Sequence, residues 1–110
     1  MEEKIFNSFE ILVLRDQIIE QIKTCYDPEI PVNIYDLGLI YEINIEQNGD
    51  VLIKMTLTSA MCPAAQSIPP EIKQKVEIIP ELKNVRVEIV WEPRWETAMM
   101  SDEARLSLGM

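Results

Sequence analysis

Histidine is missing altogether from the 110 residues. No serine or cysteine nucleophile can therefore be paired with a histidine base, and no zinc can be held by imidazole. Cysteine is scarce, with only Cys25 and Cys62 present, so one chain cannot supply the four thiolates that an iron-sulfur cluster takes. Metal or sulfide chemistry would need a bridging homodimer, carboxylate or exogenous ligands, or a bound partner. Without an export signal, two cysteines read as reduced thiols rather than a disulfide. Glycine occurs three times and there is no low-complexity tract, which with 47% hydrophobic residues argues for an ordered core. No apolar run approaches the roughly 20 residues of a membrane span. The start, Met1-Glu2-Glu3-Lys4, lacks the basic region and apolar run of a signal peptide. Basic residues are outnumbered ten to nineteen, and the net charge of -9 would repel phosphate backbones and anionic lipid headgroups. The expectation is one cytoplasmic domain over residues 1–110 with neither nucleic acid nor membrane as partner.

What is present is organised around Thr56-Leu57-Thr58-Ser59-Ala60-Met61-Cys62-Pro63, where an apolar strand ends and a cysteine stands ahead of a helix. A thiol is a nucleophile or metal ligand only as thiolate, and a helix N-terminus favours that form through its free N–H groups and dipole. Cys62 is thus the candidate functional thiol, flanked by Thr58, Ser59 and Pro63. The competing reading is a small buried hydrophobe.

Periodicity places the other elements. Asn7 and Glu10 make a capping-box-like start for a helix in which Ile11, Leu14, Ile18, Ile22 and Cys25 draw one apolar face. Cys25 is accordingly read as structural. The helix should stop near Tyr26, because Pro28 and Pro31 disfavour helical geometry before them. Asp27-Pro28-Glu29-Ile30-Pro31 is a stiff acidic turn whose plain reading is solvated punctuation. Asp36 is a candidate Asx turn before the next strand.

From Leu39 to Glu46 and from Val51 to Thr58 the pattern alternates with period two, giving a hairpin. A three-residue loop, Gln47-Asn48-Gly49, pairs Ile45 with Val51, Ile43 with Ile53, Tyr41 with Met55 and Leu39 with Leu57, with Gly49 left-handed. Ile68, Ile72, Val76 and Ile79 predict a second helix from near Pro69 to before Pro80, since proline is best tolerated in a first turn. Residues 83–91 alternate again, with Val85, Val87, Ile89 and Trp91 on one face. This third strand follows a crossover helix and should lie parallel to the second. Ser101 should cap a short helix, Asp102–Leu108, stopped by Gly109. The fold expected is a two-layer α+β domain of order α-β-β-α-β, a small mixed sheet with its helices on one face. Trp95 is either a lid on the core or, with Trp91 and Pro93, a surface for a partner.

Five fragments in order carry a resemblance: Asp27-Pro28-Glu29-x-Pro31; Asp36-Leu37-Gly38-Leu39-Ile40-Tyr41; Met55-Thr56-Leu57-Thr58-x3-Cys62-Pro63; Val90-Trp91-x-Pro93-x-Trp95; and Met100-Ser101 with Ala104-Arg105 and Leu108-Gly109. Together they resemble the SufT- and PaaD-like family of iron-sulfur assembly factors. The resemblance implies an iron-sulfur-assembly-type fold and a cytosolic, non-catalytic maturation factor that helps load clusters onto recipient apoproteins. It also implies Cys62 as the reactive thiol and matches the acidic Asp27-Pro28-Glu29 turn. Antiparallel pairing of the hairpin, in turn, predicts that Asp27, Glu29 and Asp36 form one acidic patch around that thiol. The PaaD-like members carry a cysteine-rich C-terminal segment, and a chain written to Met110 without one matches the SufT-like branch better. No stably bound cofactor is implied. With Cys62 as the one thiolate, transient ligation of iron or a cluster, dimeric bridging and a purely protein-binding adaptor all stay open. A thiol-redox enzyme is the rival reading, but there is no Cys-x-x-Cys pair and no basic neighbour before Cys62 to stabilise a thiolate.

Overall fold

In the computed structural model, which describes residues 5–27, 30–58 and 64–109, the elements begin with helix α1, Ser8–Ile22. Its start is a full capping box: the Asn7 side chain accepts from the Glu10 N–H at 2.8 Å, and the Glu10 carboxylate accepts from the Asn7 N–H at 3.2 Å. Such a cap contributes about 1 kcal/mol. Leu14, Ile18, Ile22 and Cys25 are buried as their spacing predicts, with Ile11 packed at the margin.

Strands β1, Ile40–Ile45, and β2, Val51–Met55, form the hairpin, with Ile45 opposite Val51 and Ile43 opposite Ile53. Gly49 takes φ +99°, and its N–H donates to the Glu46 carbonyl at 3.0 Å. The far half of the expected register is wrong. Ile40, not Tyr41, sits opposite Met55, and the ladder slips between Ile40 and Glu42, which leaves Tyr41 as the extra residue of a bulge. Leu39 consequently accepts from Thr56 N–H at 2.8 Å and does not pair with Leu57. The bulge turns Tyr41 so that its hydroxyl donates to the Pro93 carbonyl at 2.7 Å.

Helix α2, Ala64–Glu77, begins five residues before Pro69 and carries both prolines inside it. Each proline removes a helix hydrogen bond and costs about 3 kcal/mol. Burial of Ile68, Ile72 and Val76, each worth about 2 kcal/mol, offsets that cost. Strand β3, Val85–Ile89, pairs parallel to β2 in the order β1-β2-β3, with Val51 opposite Val85 and Met55 opposite Ile89. Trp91 is not part of β3's inward face; it lies past the strand and is 47% exposed. A 3₁₀ turn, Thr97–Met99, and helix α3, Asp102–Ser107, complete the α+β fold. Ser101 caps α3 by accepting from the Ala104 N–H at 3.1 Å. Among the described residues no helix is long and apolar enough to cross a membrane.

The C-terminal arm is clamped onto the chain just ahead of β1. Gly38, at φ +81°, lies so close to Met99 that a Cβ there would overlap the Met99 carbonyl, whereas at Gly109, φ +76°, a Cβ would meet nothing within 4 Å. Both positions share the left-handed backbone cost, so the pair isolates the steric part. Gly109→Ala should cost about 1 kcal/mol and Gly38→Ala at least about 2 kcal/mol in chemical denaturation. Equal losses would show that the arm yields freely.

Candidate functional site

Of the residues singled out from sequence, Asp36, Thr58, Pro93 and Trp95 are described near the end of the sheet where β2 finishes. There Asn33 shapes a tight turn: its side-chain carbonyl accepts from the Asp36 N–H at 2.9 Å, and its amide donates to the Asp36 carboxylate at 2.8 Å. The side chain that makes the turn is therefore Asn33, with Asp36 its recipient, and not Asp36 as expected. The Asp36 carbonyl in turn accepts from the Ser101 N–H at 2.8 Å. One residue on, the Leu37 carbonyl accepts from the Trp95 indole N–H at 2.7 Å. Trp95 is packed against the core, so the lid reading holds. Trp91 and Pro93 are exposed beside it.

At the same end, alternation stops just past β2. Met55, Thr56 and Leu57 are all buried in succession, and the Thr56 side chain meets the Tyr41 hydroxyl. The Met55 carbonyl accepts from the Val90 N–H at 2.8 Å. Tyr41, beside Thr56 and Pro93, has its phenol pKa raised, chiefly by desolvation, with the hydrogen bond to Thr56 acting against the shift and Glu96 adding to it. Tyr41 and Thr56 were not singled out from sequence. Alternation puts Thr56 on the outward face, so nothing within the strand signals its burial.

Thr58 is half-buried and is the last described residue after β2 on the way to Cys62. Ser59, Cys62 and Pro63, like Pro28 and Glu29 of the acidic turn, lie outside the described residues. What is described brackets Cys62 on both sides: β2 ends at Met55, and α2 begins at Ala64, two residues after the cysteine.

Asp27 is not a solvated turn carboxylate. It is only 5% exposed, because the bridge between Tyr26 and Asn33 folds the turn back against the chain leading to β1. The Cys25 carbonyl accepts from the Ile34 N–H at 3.0 Å beside it. A shallow depression lined by Tyr26, Asn33, Asp36 and Glu103 runs along this turn. Among the described residues, no three Cys, Asp or Glu side chains gather closely enough to hold a metal ion. Cys25 is fully buried, and its thiol is pushed up to about 11, first by desolvation and then by the Glu71 carboxylate on α2. It is a packing residue held in its protonated form.

The sequence profile of a family described as iron-sulfur cluster assembly protein matches residues 15–89. An Fe-S protein maturation auxiliary factor from Porphyromonas gingivalis is 46% identical, with the match covering 91% of this chain and 95% of that protein. The Fe-S protein maturation auxiliary factor SufT from Staphylococcus aureus is 40% identical over 76% of this chain and 96% of its own. Among solved structures, a domain of unknown function, DUF59, from Bacillus anthracis superposes with a TM-score of 0.88 at 31% identity, covering 94% of this chain and 99% of that one. A conserved hypothetical protein from Thermotoga maritima follows with a TM-score of 0.74 at 30% identity over the whole of both chains.

The raised Cys25 pKa fixes two outcomes. At neutral pH its thiolate fraction is about a hundredfold below that of a thiol at the ordinary value, so alkylation of the native protein followed by peptide mapping should leave Cys25 unlabelled. Because the folded state holds this proton more tightly, the stabilisation is complete below about pH 9 and is lost as pH rises through about 11. Denaturation of the native chain and Cys25→Ala across that window should show the stability gap between them narrowing.

Proposed function

Because this chain belongs to the iron-sulfur cluster assembly protein family, we propose that it is a maturation factor that passes iron-sulfur clusters to recipient apoproteins through Cys62. The observation that carries the thiol's part is the start of α2 at Ala64. A fourteen-residue helix opening just past Cys62 offers unpaired N–H groups and the positive end of its dipole, which favour thiolate over thiol. Cys25, whose surroundings favour the protonated form, is the packing residue, which supports Cys62 as the ligand.

One thiolate occupies one coordination position. The cluster is thus cargo rather than a resident group, and the remaining ligands come from the donor, the recipient or a second copy of the chain. This fits a factor that contacts the assembly machinery and its clients in the cytoplasm without enzymatic turnover. Relatives named as maturation auxiliary factors, and an iron-sulfur cluster carrier protein from Mycobacterium leprae that is 28% identical over 86% of this chain and 23% of its own length, support the reading. Asp36, and with it Glu29, would set the field near the thiol. Asp27, being buried, acts through the shape of the turn.

Cys62→Ala should melt as the native protein does yet fail to restore iron-sulfur enzyme activity in cells lacking the native chain. Full complementation by this variant would take the thiol out of the mechanism and leave an adaptor. Asp27→Asn should lose stability and function together, by about 1 kcal/mol or more in unfolding free energy, as expected for a buried group. Loss of function at unchanged stability would instead make Asp27 a ligand.

A further inference from the structure

Helix α1 carries more apolar surface than the core takes up. Leu14, Ile18 and Ile22 are buried, while on its other side Phe9 is 73% exposed, Leu12 59% and Val13 41%. Just across from Val13, beyond the end of α2, Ile78 is 65% exposed. Between α1 and residues 78–81 runs a groove of about 500 Å³, continued toward the start of α1 by a depression of about 260 Å³ with which it shares Val13, Gln17 and Glu81. Its buried floor is Phe6, Leu14 and Ile79, and its exposed apolar walls are Phe9, Val13, Ile78 and Pro80. Its rim is Asp16, Glu20 and Glu81, with the capping-box Glu10 at the α1 end. No lysine or arginine lines either part. Among the described residues none of the three rim carboxylates is in an ion pair.

An apolar floor with a one-signed rim specifies its occupant. We propose that this groove docks a basic amphipathic helix of a partner protein, with apolar side chains at helical spacing on the floor and Lys or Arg beside the three carboxylates. A second copy of the chain fits badly, because two such rims would bring like charges together on molecules that each carry -9. An anionic membrane is repelled for the same reason. The groove lies at the hairpin end, where the Phe6 N–H donates to the Gln47 carbonyl at 2.8 Å, whereas the chain toward Cys62 leaves β2 at its other end, Met55. A helix docked here would leave the thiol's end open.

The test uses a labelled eighteen-residue helical peptide with leucines at positions i, i+3, i+4 and i+7 and lysines flanking them, followed by anisotropy and by backbone amide shifts of the protein. Expected are shifts confined to α1 and residues 76–82, at least a tenfold loss of affinity in Phe9→Ala and in Ile78→Ala with melting unchanged, and weakening by added salt. The triple variant Asp16→Lys, Glu20→Lys, Glu81→Lys should reject this peptide and accept its glutamate-flanked counterpart. Shifts elsewhere, equal binding of both peptides by the native chain, or indifference to the rim reversal would overturn the proposal. So would self-association lost in Phe9→Ala, or binding to phosphatidylglycerol vesicles through this face. Cys62→Ala should bind the peptide unchanged, so the groove and the thiol can fail separately.

Discussion

Strand β2 is hydrogen-bonded on both flanks, antiparallel to β1 and parallel to β3, and most of the structure hangs from it. A central strand leaves no backbone polar group open along its length, so its side chains Val51, Ile53 and Met55 can be buried at 3% exposure or less without an unsatisfied partner. α1 and α2 then need only cover one face. The same strand sets where chemistry can be presented, because the chain that leaves it toward Cys62 and α2 starts from a position held on two sides.

The parts legible in the sequence are those decided within a few residues. The Asn7 and Glu10 cap, the stripe from Leu14 to Cys25, the left-handed Gly49 and the Ser101 cap each depend on neighbours three or four positions away, or on backbone sterics alone. The register near the turn follows from Gly49 and the alternation on either side. What was not legible depends on distant partners. Tyr41 bulges out of register, and its hydroxyl meets the Pro93 carbonyl 52 residues on. Trp95 resolves between lid and anchor only through the Leu37 carbonyl, 58 residues away. Asp27 looks like turn punctuation until the Tyr26 to Asn33 bridge folds it inward. The early start of α2, finally, is a tertiary override: local cost at Pro69 and Pro70 against burial of Ile68 and Ile72.

The two ends of the sheet divide the work. At one end the polar turn of Asn33 and Asp36, the buried Thr56 and the indole of Trp95 make a hydrogen-bonded collar, and the chain runs on from there toward Cys62. At the other, α1 and residues 78–81 leave an apolar, acid-rimmed trough. Under the proposed role such separation is useful, since gripping a partner and releasing a cargo make opposite demands on surface chemistry.

The collar also imposes an order on folding. The cap, the hairpin turn and α2 join residues near in sequence, and all of them can form before the last twenty or so residues exist, since local contacts pay little loop-closure entropy. The bonds from Trp95 to Leu37 and from Tyr41 to Pro93 cannot. On a nascent chain the frame at the thiol's end is therefore the last to close, and a chain interrupted before Trp95 would own a sheet but no collar.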